Sequence, residues 1–238
     1  MFRNFLFSSV LLGFVAVATA APITFTNPEY SVYAFAGVGP AVLGFDENEA
    51  SSALPPLNVN ASFSTAAGSA FASASAALGN LSAVTNVTSR GVDSKATSNS
   101  EFSGTIDSLL GGSYQLAFNF VTGNDIVGED SFASSTLAIS ISSIVNNLLY
   151  DKTFITNKTL TDFTFSLAPN TKALFDILLI SNAESSAGSA SNTSNVNFAI
   201  NAVNGVPEPH EGMLLLLGGL AMCSFIWRGR RRKGSSLA

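Results

Sequence analysis

The feature that most constrains this fold is an alternation of large apolar with polar or small residues in short segments. This alternation occurs in segments separated by Gly, Asn or Pro, namely 102–107, 114–120, 137–142, 163–167 and 196–202. A period of two is the spacing of a strand that buries one face. The pattern therefore predicts a mainly β body, an antiparallel β-sandwich or jelly-roll-like domain. We expect its phenylalanines in the core and Ser, Thr and Asn on the outward faces.

Four other segments of the body are less regular. Residues 23–26 predict a first strand. Within 60–87 alanine favours a helix, but strict Ser/Ala alternation favours a strand, which we predict. Residues 45–59 contain an acidic run and Pro55-Pro56 and predict a loop. Residues 172–181 are almost continuously apolar and predict a strand buried on both faces, which leaves Asp176 without an explanation.

The residue inventory argues against catalysis in the body. The single histidine is His210 and the single cysteine is Cys223, both near the C-terminus. A Ser-His-Asp triad or a usual His/Cys zinc site within residues 21–205 is therefore ruled out. We predict no enzyme, no cofactor and no metal. Between residues 21 and 206 there are 14 acidic and 5 basic residues, a balance of −9 that disfavours nucleic acid as a partner.

Two acidic stretches invite a functional interpretation. Asp46, Glu47 and Glu49 resemble a calcium-binding group, because hard cations take clustered oxygens. The acids of residues 123–130 suggest the carboxylate pair of a glycoside hydrolase. Both stretches are equally typical of solvated turns, and we favour turns.

The N-terminus predicts export. Arg3 precedes an apolar stretch from Phe5 to Val17, and Ala18 and Ala20 stand where a signal peptidase reads small residues. This is the pattern of a secretory signal peptide cleaved after Ala20. The apolar stretch is shorter than the ~20 residues that a membrane-spanning helix requires.

The C-terminus predicts a membrane anchor. After Val206, Pro207, Glu208 and Pro209, the 16 residues 212–227 carry no charge. As a helix they would span about 24 Å, and interfacial Trp227 and Arg228 compensate for the shortfall against the ~30 Å hydrocarbon core. The basic cluster that follows places the tail in the cytoplasm and the body outside. That cluster comprises Arg228, Arg230, Arg231, Arg232 and Lys233.

This tail resembles the PEP-CTERM sorting signal of Gram-negative bacteria, also described as an ice-binding-protein C-terminal domain, a label that implies no ice binding. The resemblance covers about 30 residues: the motif Val206–Pro209, a short Leu/Gly-rich helix and the basic cluster. It implies that an exosortase, a membrane-embedded cysteine protease, cuts near the motif and delivers the body to the cell surface or matrix. Such proteins are associated with exopolysaccharide and biofilm. His210-Glu211 departs from the small residues common after the motif.

These features predict a signal peptide (1–20), a β-rich exported domain (21–205) and a sorting signal (206–238). The leading functional prediction is a non-enzymatic surface or extracellular-matrix protein. Its partners would be signal peptidase, the exosortase, membrane lipid and exopolysaccharide. The alternative is a lectin-like or adhesive glycan-binding module. The aromatic residues that we consider for such a module are Tyr30, Tyr33, Tyr114 and Tyr150.

Overall fold

The body is built from long antiparallel strands. The computed structural model describes residues 23–39, 44–109, 111–143 and 148–203, and every regular element within them is a strand. The predicted mainly antiparallel β body is thereby confirmed, whereas the two predicted terminal helices lie outside the described residues. The strands are β1 (Thr26–Val38), β2 (Gly44–Ser52), β3 (Leu57–Thr65), β4 (Gly68–Ala77), β5 (Asn80–Ser108), β6 (Gly112–Val127), β7 (Ser131–Ser143), β8 (Leu148–Phe154), β9 (Lys158–Leu167) and β10 (Thr171–Ala202).

Two central strands, β5 and β10, organise the sheet because they pair with each other along most of their length. The second part of β5 and the first part of β10 lie between β1 and β7, and this set with β2 and β8 is called layer A. The first part of β5 and the second part of β10 lie between β4 and β6, and this set with β3 and β9 is called layer B. Both layers therefore share their two central strands.

β5 doubles back on itself between the layers. The side-chain hydroxyl of Ser100 donates to the carbonyl oxygen of Ser82 at 2.6 Å, and that of Ser94 donates to Thr88 at 3.1 Å. In a straight strand Ser82 and Ser100 would lie roughly 60 Å apart, at about 3.3 Å per residue. The contacts therefore require a reversal, and two layers that face each other across one core agree with the predicted β-sandwich.

The reversal is made by irregular pairing at one point of both strands. Ser185 pairs with Ser94 but Ala187 pairs with Arg90, so three residues of β5 oppose one residue of β10. Gly91 has a φ of +85°, which glycine adopts at little cost. The irregularity also shifts the buried positions from odd to even numbers in β5, so the same side of the strand faces the core before and after it.

The core is thin near the reversal and thick away from it. Alanines and serines fill the space near the reversal, and Cα atoms of β1 lie within 8 Å of Cα atoms in β3 and β4, closer than the usual ~10 Å between sheets. At the other end Phe102 and Phe175 of layer A contact Phe198 of layer B, with ring centroids 5.4 and 5.7 Å apart. The predicted phenylalanine core is present, but serines also line the interior.

Two predictions for individual segments were wrong. Residues 45–59 form most of β2 and the start of β3 rather than a loop, with only 53–56 between the strands. β2 lies at the edge of layer A, where polar and charged side chains are common. One of them, Asp46, accepts a hydrogen bond from the Ser62 N–H at 2.8 Å. Residues 172–181 bury one face and not two, because Leu174 is 46% exposed. Asp176 lies on that exposed side, which explains its presence.

Gly128 and Gly188 approach each other closely beside the reversal, and this contact gives a test of the fold. Gly188 has a φ of +131°, and a Cβ there would overlap the carbonyl oxygen of Val127. We expect Gly188→Ala to cost about 2 kcal/mol of unfolding free energy, or a Tm lower by roughly 4–8 °C for a domain of this size. Thermal unfolding of the full chain in mild detergent measures this effect.

Gly123→Ala is the matched control for Gly188→Ala. A Cβ at Gly123 would meet no atom within 4 Å, so its Tm should stay within about 1 °C of the parent value. Equal Tm values for the two variants would contradict the close approach at the reversal.

Candidate functional site

The residues that carry the sorting prediction lie outside the described part of the chain. They are Ala18, Ala20, Val206, Pro207, Glu208, Pro209, Arg228, Arg230, Arg231, Arg232 and Lys233. The described residues end at Val203, just after β10. Within them the structure contains no helix with the length and hydropathy needed to cross a bilayer.

The acidic run of β2 does not gather its carboxylates into one site. Glu47 and Glu49 lie on the outer face of layer A, in register with Phe35 and Tyr33, whereas Asp46 bonds to the edge of β3. No group of three or more His, Cys, Asp or Glu side chains in the described ranges is arranged to hold a metal ion. The strand conformation separates Asp46 from Glu47 and Glu49, because neighbouring side chains point to opposite sides.

The second acidic stretch, 123–130, is only partly a turn. β6 continues to Val127, and the turn comprises residues 128–130. Asp125 lies on the outer face of layer B, in register with Ser191. Asp130 contributes its backbone carbonyl, which accepts a hydrogen bond from Ser186 N–H at 3.1 Å, beside the reversal.

Two of the four tyrosines considered for a glycan site lie in the core. Tyr30 is 2% exposed and Tyr114 is 9% exposed. Tyr33 and Tyr150 are half-buried. Burial raises the pKa of Tyr33, and a hydrogen bond to Glu47 raises it further. The tyrosines therefore do not form one binding surface.

The outer face of layer A is acidic at its centre. At its two ends, ion pairs join β5 to β10: Lys95 to Glu184 at 2.7 Å and Lys172 to Asp107 at 3.0 Å. The hydrogen bond from Lys172, with a second from Thr26, lowers the pKa of Asp107. Between these pairs lie Glu29, Glu101 and Asp176, which form no ion pair within the described residues.

Glu101, on β5, is the central member of this acidic group. Its pKa is raised first by burial, then by the nearby charges of Asp176 and Glu29. Burial likewise raises the pKa of Asp176. The folded protein therefore binds a proton at these sites more readily than the unfolded chain does.

The outer face of layer B is polar but nearly uncharged. Its side chains are mostly Ser, Thr and Asn, and Asn80 Nδ2 donates to Asn197 Oδ1 at 2.8 Å. On this face an open depression of about 460 Å³ surrounds Phe71, whose side chain is 39% exposed. The depression is lined by Ser62, Phe63, Ser64, Ser69, Ala70, Phe71, Asn86 and Thr88.

The phenylalanines were expected in the core, but Phe45, Phe71 and Phe132 are exposed. For Phe71 the signal was present in the alternation of β4: Ala70, Ala72 and Ala74 are buried, and Phe71 shares its side of the strand with Ser69 and Ser73. In a strand with a dry alanine side, a phenylalanine among the serines must face solvent.

Comparisons with known proteins do not identify this body. No family model matches the chain, and no curated protein matches it either. It is similar to a chain in a structure described as "CBM4 structure and function", with 12% identity, a TM-score of 0.24 and coverage of 54% of this chain and 74% of that one. It is also similar to a chain in "Structure of infectious bursal disease virus Gx strain", with 9% identity, a TM-score of 0.18 and coverage of 86% and 75%. Neither similarity carries an argument about function.

The acidic group on layer A generates a prediction about pH. A raised pKa of Glu101 means that ionised Glu101 destabilises the folded state at pH 7 and that stability is gained as pH falls through the raised pKa. Glu101→Gln should therefore raise Tm at pH 7. The gain should shrink at pH 4, where Glu101 of the parent chain is largely protonated.

Glu129→Gln, in the exposed turn after β6, is the control for this measurement. It removes the same charge at a distance from the layer A acids and should leave Tm nearly unchanged at both pH values. A Glu101→Gln variant whose Tm gain is the same at pH 4 and pH 7 would disprove the electrostatic explanation.

Proposed function

We propose that this chain is an exported, non-enzymatic cell-surface or extracellular-matrix protein that an exosortase sorts and cuts at its C-terminal signal. The observation that carries the proposal is the order of three elements in the tail: the motif Val206–Pro209, the uncharged segment 212–227 and the basic cluster from Arg228 to Lys233. Signal peptidase would act at the other end, after Ala20. The body then reaches the surface through a membrane-anchored intermediate and joins a layer rich in exopolysaccharide.

The position of the strands supports this processing scheme. β1 begins at Thr26, after the predicted cut at Ala20, and β10 ends at Ala202, four residues before Val206. β10 is a central strand that pairs with β5, β6 and β7, so a cut within it would remove the partner of three strands. Both proposed cuts instead leave all ten strands on one fragment.

The chemistry of the body supports a non-enzymatic role. Residues 21–205 contain neither the histidine nor the cysteine on which triads and usual zinc sites depend. Glu101 and the two acids whose charges raise its pKa, Asp176 and Glu29, lie on the outer face of a sheet. Glycoside hydrolysis instead requires two carboxylates on opposite sides of a bound sugar.

We further infer that the body is a β-sandwich whose outer faces, and not an interior pocket, meet its surroundings. The jelly-roll-like description belongs to this proposal, supported by two six-stranded layers around one core. The alternative function, a glycan-binding module, is favoured by one specific observation, the exposed Phe71 in its polar depression.

Processing is tested by expressing the full chain in cells with and without an exosortase and measuring intact mass. The parent chain should lose its tail only when the exosortase is present. Glu208→Ala, within the motif, should leave the full-length chain in the membrane. A tail that persists equally in both strains would refute sorting.

Glu211→Ala is the matched control, because it removes a nearby glutamate that lies outside the motif. We expect it to be processed as the parent chain is. If Glu208→Ala and Glu211→Ala are cut to the same extent, the motif does not direct the cleavage.

A further inference from the structure

The depression around Phe71 on the outer face of layer B has the composition of a ligand site. It combines one exposed aromatic ring with amide and hydroxyl groups from three strands: Ser62 on β3, Ser69 on β4, and Asn86 and Thr88 on β5. Its volume of about 460 Å³ lies within the range of small-molecule sites, about 300–1,000 Å³. In register, Ser62, Phe71 and Asn86 form one row across three strands.

The polar groups of the depression differ in their availability. The hydroxyls of Ser69 and Thr88 lie 2.7 Å apart and bond to each other. The Asn86 side chain has no hydrogen bond within the described part of the chain, so its amide retains two donors and an acceptor for a ligand. A fixed hydroxyl pair beside a free amide gives the depression both a rigid and an adaptable polar partner.

We propose that this depression binds an uncharged glycan, with Phe71 as the stacking ring and Asn86 as the principal hydrogen-bonding side chain. A sugar ring presents C–H groups on its flat face and hydroxyls around its edge. The face of an aromatic ring packs against the C–H groups, and amide and hydroxyl side chains exchange hydrogen bonds with the edge. The inference rests on the geometry of layer B and is independent of the sorting proposal.

The distribution of charge selects a neutral ligand. The nearest charged group to Phe71 is the carboxylate of Asp46, which accepts a hydrogen bond from the Ser62 N–H at 2.8 Å. In the row of Phe71 itself the charged residue is Asp125, three strands away, or about 14 Å at ~4.8 Å per strand. Arg90 lies on the same side of β5 as Asn86 but four residues further along the strand, about 13 Å from the row at ~3.3 Å per residue. The rows on either side, through Ser73 and through Ser69, contain no charged residue from β3 to β6. An anionic polysaccharide would meet the carboxylate of Asp46 and no lysine or arginine in these rows from β3 to β6.

The same composition argues against a protein partner at this position. The cores of protein–protein interfaces are apolar and rich in aromatic residues. In the depression Phe71 is the large apolar side chain with substantial exposure, and its neighbours are mostly short and polar. A second copy of this chain would therefore bury one ring among many hydroxyls.

A second aromatic group, on the outer face of layer A, is the competing site. Phe35 and Phe45 are stacked with ring centroids 5.9 Å apart, and Glu47 bonds to the Tyr33 hydroxyl beside them. These rings already cover one face of each other, and carboxylates flank them. Phe71 contacts no other aromatic ring within the described residues, and it is 39% exposed.

The experiment compares glycan binding by the full chain in mild detergent and by single variants. The probe is an array of uncharged oligosaccharides and soluble glucans, with alginate as the anionic polysaccharide. The parent chain should bind at least one neutral glycan and not alginate. Phe71→Ala should weaken that binding about tenfold, as truncation of a central contact residue typically does, and Asn86→Ala should also weaken it.

Two controls truncate phenylalanines of similar exposure on the other layer. Phe45→Ala removes a member of the competing aromatic group, and Phe132→Ala removes an exposed ring on β7; both side chains are 55% exposed. Each should bind as the parent chain does, and equal Tm values will show that all variants are folded. Phe71→Trp keeps a stacking ring and should retain binding.

Three results of the glycan measurement would overturn the proposal. They are the absence of binding to every neutral glycan, binding that Phe71→Ala and Asn86→Ala leave unchanged, and binding that Phe45→Ala abolishes instead. Concentration-dependent dimerisation lost in Phe71→Ala would assign the face to a second copy and would equally refute a glycan site. None of these results bears on cleavage of the tail, which the intact-mass measurement tests separately.

Discussion

The reversal of β5 and β10 is the constraint on which the rest of the structure depends. Both strands belong to both layers, so every other strand is placed by the part of β5 or β10 that it pairs with. The body is consequently one folded-over sheet with a single core, in which the layers cannot separate without breaking the central ladder. Irregular pairing at Ser185 and Ala187 and the left-handed backbone of Gly91 make the reversal possible.

Small side chains follow from that reversal. Where the layers meet closely, alanine avoids overlap, and serine hydroxyls can bond to carbonyl oxygens of the opposite layer, as Ser100 does to Ser82. A buried hydroxyl without a partner would destabilise the fold, so these bonds are what make a serine-lined interior tolerable. Part of the Ser- and Ala-rich sequence therefore lies in the interior, although serine is typical of a protein surface.

The two outer faces give the body two chemically different surfaces. Layer A carries ion pairs at both ends and uncompensated acids around Glu101, whereas layer B carries hydroxyls and amides around Phe71. A protein of this kind would present an anionic surface on one side and a neutral polar surface on the other. In a polysaccharide-rich matrix, such a body would contact neutral chains and charged components through different faces.

The sequence by itself determined the β class and most strand positions, because period-two alternation is a local pattern. The terminal segments on which the sorting proposal rests are likewise local patterns, apolar runs beside basic residues, and they remain predictions. The sequence did not reveal the reversal, since the buried positions on either side of the shift from odd to even numbers are Ser89 and Ser94, which carry no apolar alternation. It wrongly predicted a loop for residues 45–59, because an edge strand can have the composition of a loop. It correctly predicted a strand for residues 172–181 but wrongly predicted that both of its faces are buried. Only the tertiary structure brought Ser62, Phe71 and Asn86 into one row, since strand register joins residues that are distant in the chain.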